Sequence, residues 1–226
     1  MLRLSLLKKP FRRFPLGYHL LFGWHRSTRF LDPFERTQSV FIHVPKAAGT
    51  SIAMALYGRQ IPHYTWRKWH EINPKKFRDY FKFAVVRNPI YRFTSSFYFL
   101  KMGGMNEGDE NFRTTILKPF VDPNEFAEAL IDPDLQARVL KWWHFRPQTE
   151  FVADEFGRSK MDFLIRFENI GAGFDFVSRK LNGESRKLPH LNKTRTLPDV
   201  EMTRESRDVL ECLYRKDFIL WEKYTS

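Results

Sequence analysis

Lys46 stands in the stretch His43-Val44-Pro45-Lys46-Ala47-Ala48-Gly49-Thr50-Ser51, between a β-branched, aromatic run and an apolar helical pattern. Small residues between a strand and a helix let successive N–H groups converge on an anion, and the helix dipole adds partial positive charge. Lys46 adds a full charge. Thr50 and Ser51 offer hydroxyl donors and can cap the helix. A Walker loop has its lysine at the helix start, followed by Ser or Thr for magnesium. Here the lysine comes early and no hydroxyl follows it. Taken alone, the loop fits a plain strand-to-helix turn with an exposed lysine equally well.

A second constellation shifts the balance: Arg87-Asn88-Pro89-Ile90-Tyr91-Arg92-Phe93-Thr94-Ser95. Arg87 leaves a strand at its carboxyl end, and Ser95 lies one to two turns into the next helix. A guanidinium fork with a hydroxyl suits a terminal phosphate. The plain alternative is that Arg87 and Arg92 form surface ion pairs. Two phosphate sites on adjacent strand ends point to a nucleotide with phosphate at both ends.

The elements that must position these residues follow from the pattern. Ser39 to Val44, Lys82 to Arg87 and Asp162 to Phe167 read as short buried strands. Thr50 to Tyr57 reads as a helix, as does the run from Pro89, which suits a first helical turn, to about Lys101. Helical patterns recur around Asn124 to Leu130, Leu135 to Trp143, Phe174 to Leu181 and Thr203 to Tyr224, with a Gly-, Pro- and Lys/Arg-rich loop from Asn182 to Asp199. Strands separated by helices imply an α/β fold with a mostly parallel central sheet, binding ligands at its carboxyl edge.

The 226 residues are 42% hydrophobic, which supplies a core and excludes disorder for most of the chain. The net charge of +12 favours an anionic partner. Cys212 is the sole cysteine, so no internal disulfide or cysteine metal cluster can form, and a reducing compartment is expected. Nothing approaches the roughly 20 apolar residues of a membrane span. Residues 1–36 read as a basic N-terminal arm, holding eight Lys/Arg against Asp32 and Glu35, and residues 37–226 as the α/β domain. The arm suits peripheral contact with an anionic membrane, although Pro10 and Pro15 interrupt any long amphipathic helix and favour an arm packed on the domain.

Pro45-Lys46-Ala47-Ala48-Gly49-Thr50-Ser51 resembles the 5′-phosphosulfate loop of sulfotransferases, and Arg87-Asn88-Pro89-x-x-Arg92-x-x-Ser95 resembles their 3′-phosphate motif. The run from Ser39 to Tyr224 is similar to the carbohydrate branch often called family 2. Trp143-His144-Phe145-Arg146-Pro147-Gln148 is similar to a His-aromatic-x-Pro element of that branch, and Leu164 to Asn169 resembles its strand ending in an acidic residue. Pro189-His190-Leu191-Asn192-Lys193-Thr194 is like the late basic loop over the nucleotide, and Tyr214 with Asp217-Phe218 resembles the closing helix.

The resemblance implies a P-loop-like three-layer fold and a sulfuryl donor, 3′-phosphoadenosine 5′-phosphosulfate, used in line and without a metal. Lys46 would neutralise the leaving phosphate, with Ala47, Ala48, Gly49, Thr50 and Ser51 around the 5′-phosphate, Arg87 and Ser95 on the 3′-phosphate, and Asn192 and Lys193 covering the nucleotide. The implied acceptor is a carbohydrate hydroxyl, which needs a general base. Of seven histidines, His63 in Ile61-Pro62-His63-Tyr64-Thr65 is preferred, then His144, then His70; His43 reads as structural, and Glu168 as an orienting carboxylate. Two readings compete: a kinase-like P-loop enzyme using magnesium and ATP, and a non-catalytic module binding polyanions. No nucleic-acid motif is present. Family members in the Golgi carry a membrane anchor, so the expected location is cytoplasmic, with peripheral membrane contact open. Acceptor choice would lie in the loops around Gly103 to Lys118 and Arg186 to Pro198, which carry no readable code.

Overall fold

A computed structural model describes residues 29–186, 188 and 200–223. The N-terminal arm up to residue 28, most of the late basic loop including Asn192 and Lys193, and the last three residues lie outside the described residues.

Three strands form a parallel sheet in the order β1 (Ser39–Ile42), β2 (Phe81–Val86), β3 (Phe163–Arg166). Val40 pairs with Lys82, and Ala84 pairs with Leu164. All of β1 and the last four residues of β2 are buried, which is why they read as continuous apolar runs rather than alternating ones. The strands bring His43, Arg87 and Phe167 out at one edge.

Helices lie around this sheet. The first, α1 (Asp32–Thr37), precedes β1, and Phe30, Leu31, Pro33 and Phe34 are buried with the sheet residues. The expected boundary after residue 36 therefore runs through packed structure rather than ahead of it. After β1 come α2 (Gly49–Tyr57), α3 (Trp66–Ile72) and α4 (Pro74–Asp79), with Trp69 fully buried against Phe34. After β2 comes α5 (Pro89–Lys101), whose start is fixed twice: Pro89 pre-sets the first turn, and the Asn88 side chain accepts from the Ile90 and Tyr91 N–H groups.

A second apolar cluster lies on the far side of α5. It gathers Phe93, Phe97, Phe112, Phe126, Phe145, Leu210 and Tyr214. They come from α5, α6 (Glu107–Phe112), α7 (Pro123–Ala129), the turn at residues 142–146 and α11 (Arg204–Leu213). Between those helices lie a single π-helical turn, Arg113–Leu117, and α8 (Pro133–Lys141). α9 (Gln148–Val152) leads back towards β3.

Two expectations about helix limits are corrected. The helix after β3, α10 (Ile170–Asn182), begins before Phe174, directly after a 3₁₀ turn at Phe167–Asn169. Gly171 and Gly173 in its first turn hide the helical pattern from a propensity reading. The C-terminal run is two helices, α11 and α12 (Arg215–Lys223), broken at Tyr214. The Tyr214 hydroxyl donates to the Phe145 carbonyl at 2.7 Å, which anchors the break in the second cluster. No helix among the described residues is long and apolar enough to cross a membrane.

Candidate functional site

The loop after β1 turns sharply. Lys46 and Ala48 both take positive φ, +65° and +58°, a conformation that costs a non-glycine residue about 1 kcal/mol or more. The Ala48 carbonyl accepts from the Ser51 and Ile52 N–H groups and so begins α2. The N–H groups of Lys46, Ala47 and Ala48 make no hydrogen bond to the described residues. Left-handed residues on both sides of Ala47, with N–H groups left free at a helix start, suit the acceptance of an anion.

His43 sets the shape of this loop. Its ring stacks on Phe41, and its Nδ1–H donates to the Ile61 carbonyl at 2.8 Å. A Cβ on Gly49 would stand 1.9 Å from that ring. Only glycine lets α2 start so close to His43. The structural reading of His43 fits this packing, although β1 ends one residue before it.

Arg87 reaches the same loop from β2. Its Nη1 donates to the Lys46 carbonyl at 3.2 Å, and its guanidinium carbon lies 4.3 Å from the centre of the Phe167 ring. Its Nε is buried without a partner among the described residues. Gln148 clamps the Arg87 backbone from both sides, accepting from its N–H at 2.9 Å and donating to its carbonyl at 2.8 Å. Asp217 on α12 in turn holds the start of α9, accepting from the Gln148 and Thr149 N–H groups and the Thr149 hydroxyl. Glu168 accepts from the Asn88 N–H and from the Trp221 indole, so it orients the strand end rather than facing a reacting atom.

Arg92 is not a surface ion pair. It is 1% exposed and donates to the His144 carbonyl at 3.0 Å and the Arg146 carbonyl at 2.7 Å. Ser96 donates to the same His144 carbonyl. Part of the Arg-Asn-Pro motif thus serves to fix the backbone of the turn carrying His144. Ser95 is buried on α5, and its hydroxyl makes no hydrogen bond among the described residues.

The catalytic candidates converge. The Lys46 ammonium sits 3.7 Å from the centre of the Phe99 ring. Burial and the nearby Arg87 charge lower its pKa to about 8, with Asp109 opposing the shift. The His63 ring lies 3.9 Å from that of His43 and 5.4 Å from that of Trp143. Its Nδ1 is 2.8 Å from the His43 carbonyl, which can only accept. Nδ1 therefore carries the proton, and Nε2 presents a lone pair. Burial, with His43, His144 and Lys46 adding to it, holds His63 well below the usual imidazole range, so the ring is neutral. His144 is also buried and shifted down, partly opposed by Asp109, whose Oδ1 lies 3.3 Å from His144 Nε2. His70 is exposed and packs near Trp66 and Phe77 instead.

Lys46, Arg87, His63 and His144 are thus gathered at the carboxyl ends of β1 and β2. Asp109, Phe99, Gln148 and Arg92 join them without having been given roles from sequence. Gln148 and Arg92 lie inside motif-like stretches and could have been found there. Asp109 and Phe99 had no such signal. No group of three or more His, Cys, Asp or Glu side chains among the described residues is arranged to hold a metal ion.

No curated protein and no solved structure shows significant similarity to the chain. A family model described as "Sulfotransferase family" matches residues 32–224. That span takes in the anion loop, the Arg87 strand end and the closing helices, and the α/β fold with its parallel sheet agrees with it. The chain belongs to the sulfotransferase family, as an enzyme of sulfuryl transfer.

Proposed function

We propose that the enzyme takes a sulfuryl group from 3′-phosphoadenosine 5′-phosphosulfate and passes it to a hydroxyl, with a carbohydrate as the acceptor class. The observation that carries this reading is the convergence of two strand ends: the Arg87 guanidinium bonds the carbonyl of Lys46. The Lys46 ammonium rests on the Phe99 ring, and Arg87 keeps an Nε with no partner among the described residues. These donors fit a ligand with phosphate at both ends, and their cost of organisation is met before it arrives.

When bound, the donor supplies an activated sulfuryl group on a phosphate leaving group. The chain's residues do the rest. Ala47 to Ser51 would hold the 5′-phosphate, and Arg87 with Ser95 the 3′-phosphate. Lys46 neutralises charge as it develops on the leaving oxygen. His63 Nε2, with its tautomer fixed by the His43 carbonyl, accepts the acceptor hydroxyl's proton. A neutral, low-pKa imidazole is a weak base alone, but an anionic donor beside it raises its proton affinity. His144 is the alternative base: its Nδ1 has no hydrogen-bond partner among the described residues, while its Nε2 lies 3.3 Å from Asp109 Oδ1. Asn192 and Lys193 remain candidates for covering the nucleotide, outside the described residues. Peripheral membrane contact through residues 1–36 and a cytoplasmic location also remain proposals resting on sequence.

Transfer of radiolabelled sulfate from the donor to a panel of neutral and acidic glycans tests the reading. Label on a glycan hydroxyl, lost in Lys46→Ala, supports it. Label on no glycan but on phenols or amines would overturn the acceptor class. No donor consumption with any acceptor would overturn the reaction.

A further inference from the structure

Asp109 is the buried anion of this region. It is 1% exposed, on α6, within the stretch after Gly103-Gly104 that the sequence leaves without a code. The chain is built closely around it. The Met105 N–H and the Asn106 side-chain amide both donate to its Oδ2, at 2.9 and 3.1 Å. Gly104 has φ +63°, and a Cβ there would stand 2.2 Å from the Asp109 Cβ. Its other oxygen, Oδ1, lies 3.3 Å from His144 Nε2, and the Trp143 side chain also acts on the carboxylate.

From that oxygen a chain of contacts leads to the anion loop. The His144 ring packs 4.9 Å from that of Phe99, and the Lys46 ammonium rests on the face of Phe99. The other charged or titratable groups acting here are Arg87 from the end of β2, Arg92 from α5, and His43 and His63 from the segment between β1 and α3. These are cationic or neutral bases. Glu168, after β3, favours the charge on Arg87, and Asp109 is the carboxylate that favours the charge on Lys46.

We propose that Asp109 is a positioning residue for the transfer: through His144 and Phe99 it keeps the Lys46 side chain seated and charged before the donor arrives. Its role in turnover rests on the sulfuryl-transfer reading above, but its action on Lys46 does not. Burial alone drives a lysine towards the neutral amine, and a neutral Lys46 could not offset charge on a leaving phosphate. Burial lowers Lys46 only to about 8, with Asp109 favouring the charged form.

The test uses ligand-free, full-length protein. Trace acetylation of amines is followed at Lys46 by mass spectrometry as pH is varied, for the wild type and Asp109→Asn. Asparagine keeps an oxygen for the Met105 N–H and removes the charge. The wild type should reach half-maximal reactivity at Lys46 near pH 8. Asp109→Asn should move that midpoint down by about one unit, which lowers kcat/KM about tenfold near pH 9 but only about twofold near pH 7, with a donor KM changed by less than about threefold. An unmoved Lys46 midpoint would overturn the proposal, whatever the enzyme transfers. A shifted midpoint without any sulfuryl transfer by the wild type would support it and sink the function instead. If Asp109→Asn does not fold, Asp109→Ser is measured in the same way. Failure of both to fold would make Asp109 a scaffold residue only, and would also overturn the proposal.

Discussion

In the proposed mechanism Lys46 offsets charge on the leaving phosphate, and its environment fixes how activity should depend on pH. The ammonium is the proposed working form, and burial with the nearby Arg87 charge brings its pKa down to about 8. A lowered lysine pKa leaves the charged form present below it and lost above it. kcat/KM should therefore fall as pH rises through about 8, on the free-enzyme profile. The usual acid limb near an imidazole pKa should be absent, because His63 is held well below that range. A steady-state pH series checks both limbs. Lys46→Ala should lower kcat by about 10²- to 10³-fold, the typical loss when one preorganised donor to a developing oxyanion is removed. A circular dichroism spectrum should stay unchanged.

At this scale the sequence was legible where one residue type does one thing. Neither the lysine in its small-residue loop nor the arginine at its strand end was decisive alone; the pair was legible because two phosphate sites on adjacent strand ends suit one nucleotide. Asp109 was not legible. Its partners, His144 and Lys46, are 35 and 63 residues away in sequence. No local pattern marks an aspartate as a buried counter-ion.

The elements hold the site through backbone contacts rather than side-chain chemistry. Gly49 is the tightest example, since a methyl group would collide with the His43 ring. Gly49→Ala should cost about 3 kcal/mol in denaturant unfolding, the upper range for overpacking, because backbone and ring must both shift. Asp217 is a second fixed point, satisfying three donors at the start of α9. Asp217→Ala should destabilise by about 2–4 kcal/mol, since buried N–H groups are left without acceptors. The loss should spread to the Gln148 clamp and weaken donor binding as well. A stability-neutral Asp217→Ala would mean that α9 is capped some other way.

The three strands and the two helices beside the site were legible from continuous apolar runs, small-residue loops and Pro89. The short helices α3 and α4 were not. They run only seven and six residues, so the spacing of Trp66, Trp69 and Ile72 in α3 and the lone Phe77 in α4 is too short to read as a helical stripe among Lys, Arg and His. The break at Tyr214 was hidden for another reason. It depends on a hydroxyl reaching the Phe145 carbonyl, a contact 69 residues away.

Taken whole, the molecule has a net charge of +12 and gathers cations at one edge of its sheet. An anionic ligand should bind less tightly as salt rises. The dependence should be shallow if the enclosed donors of the anion loop dominate, and steep if surface charge does. That contrast separates a nucleotide site from a polyanion-binding surface, and calorimetry across a salt series reads it.

The most direct measurement is thermal unfolding with 3′,5′-phosphoadenosine, compared with ATP and magnesium, each with and without chelator. The account predicts a clear stabilisation by the bisphosphate alone, about 2.7 kcal/mol at 100 times its Kd, indifferent to chelator and lost in Arg87→Ala. Stabilisation only by ATP with magnesium would contradict it and point to a kinase-like site. No stabilisation by either nucleotide would contradict it as well, and would leave the basic surface as the binding feature.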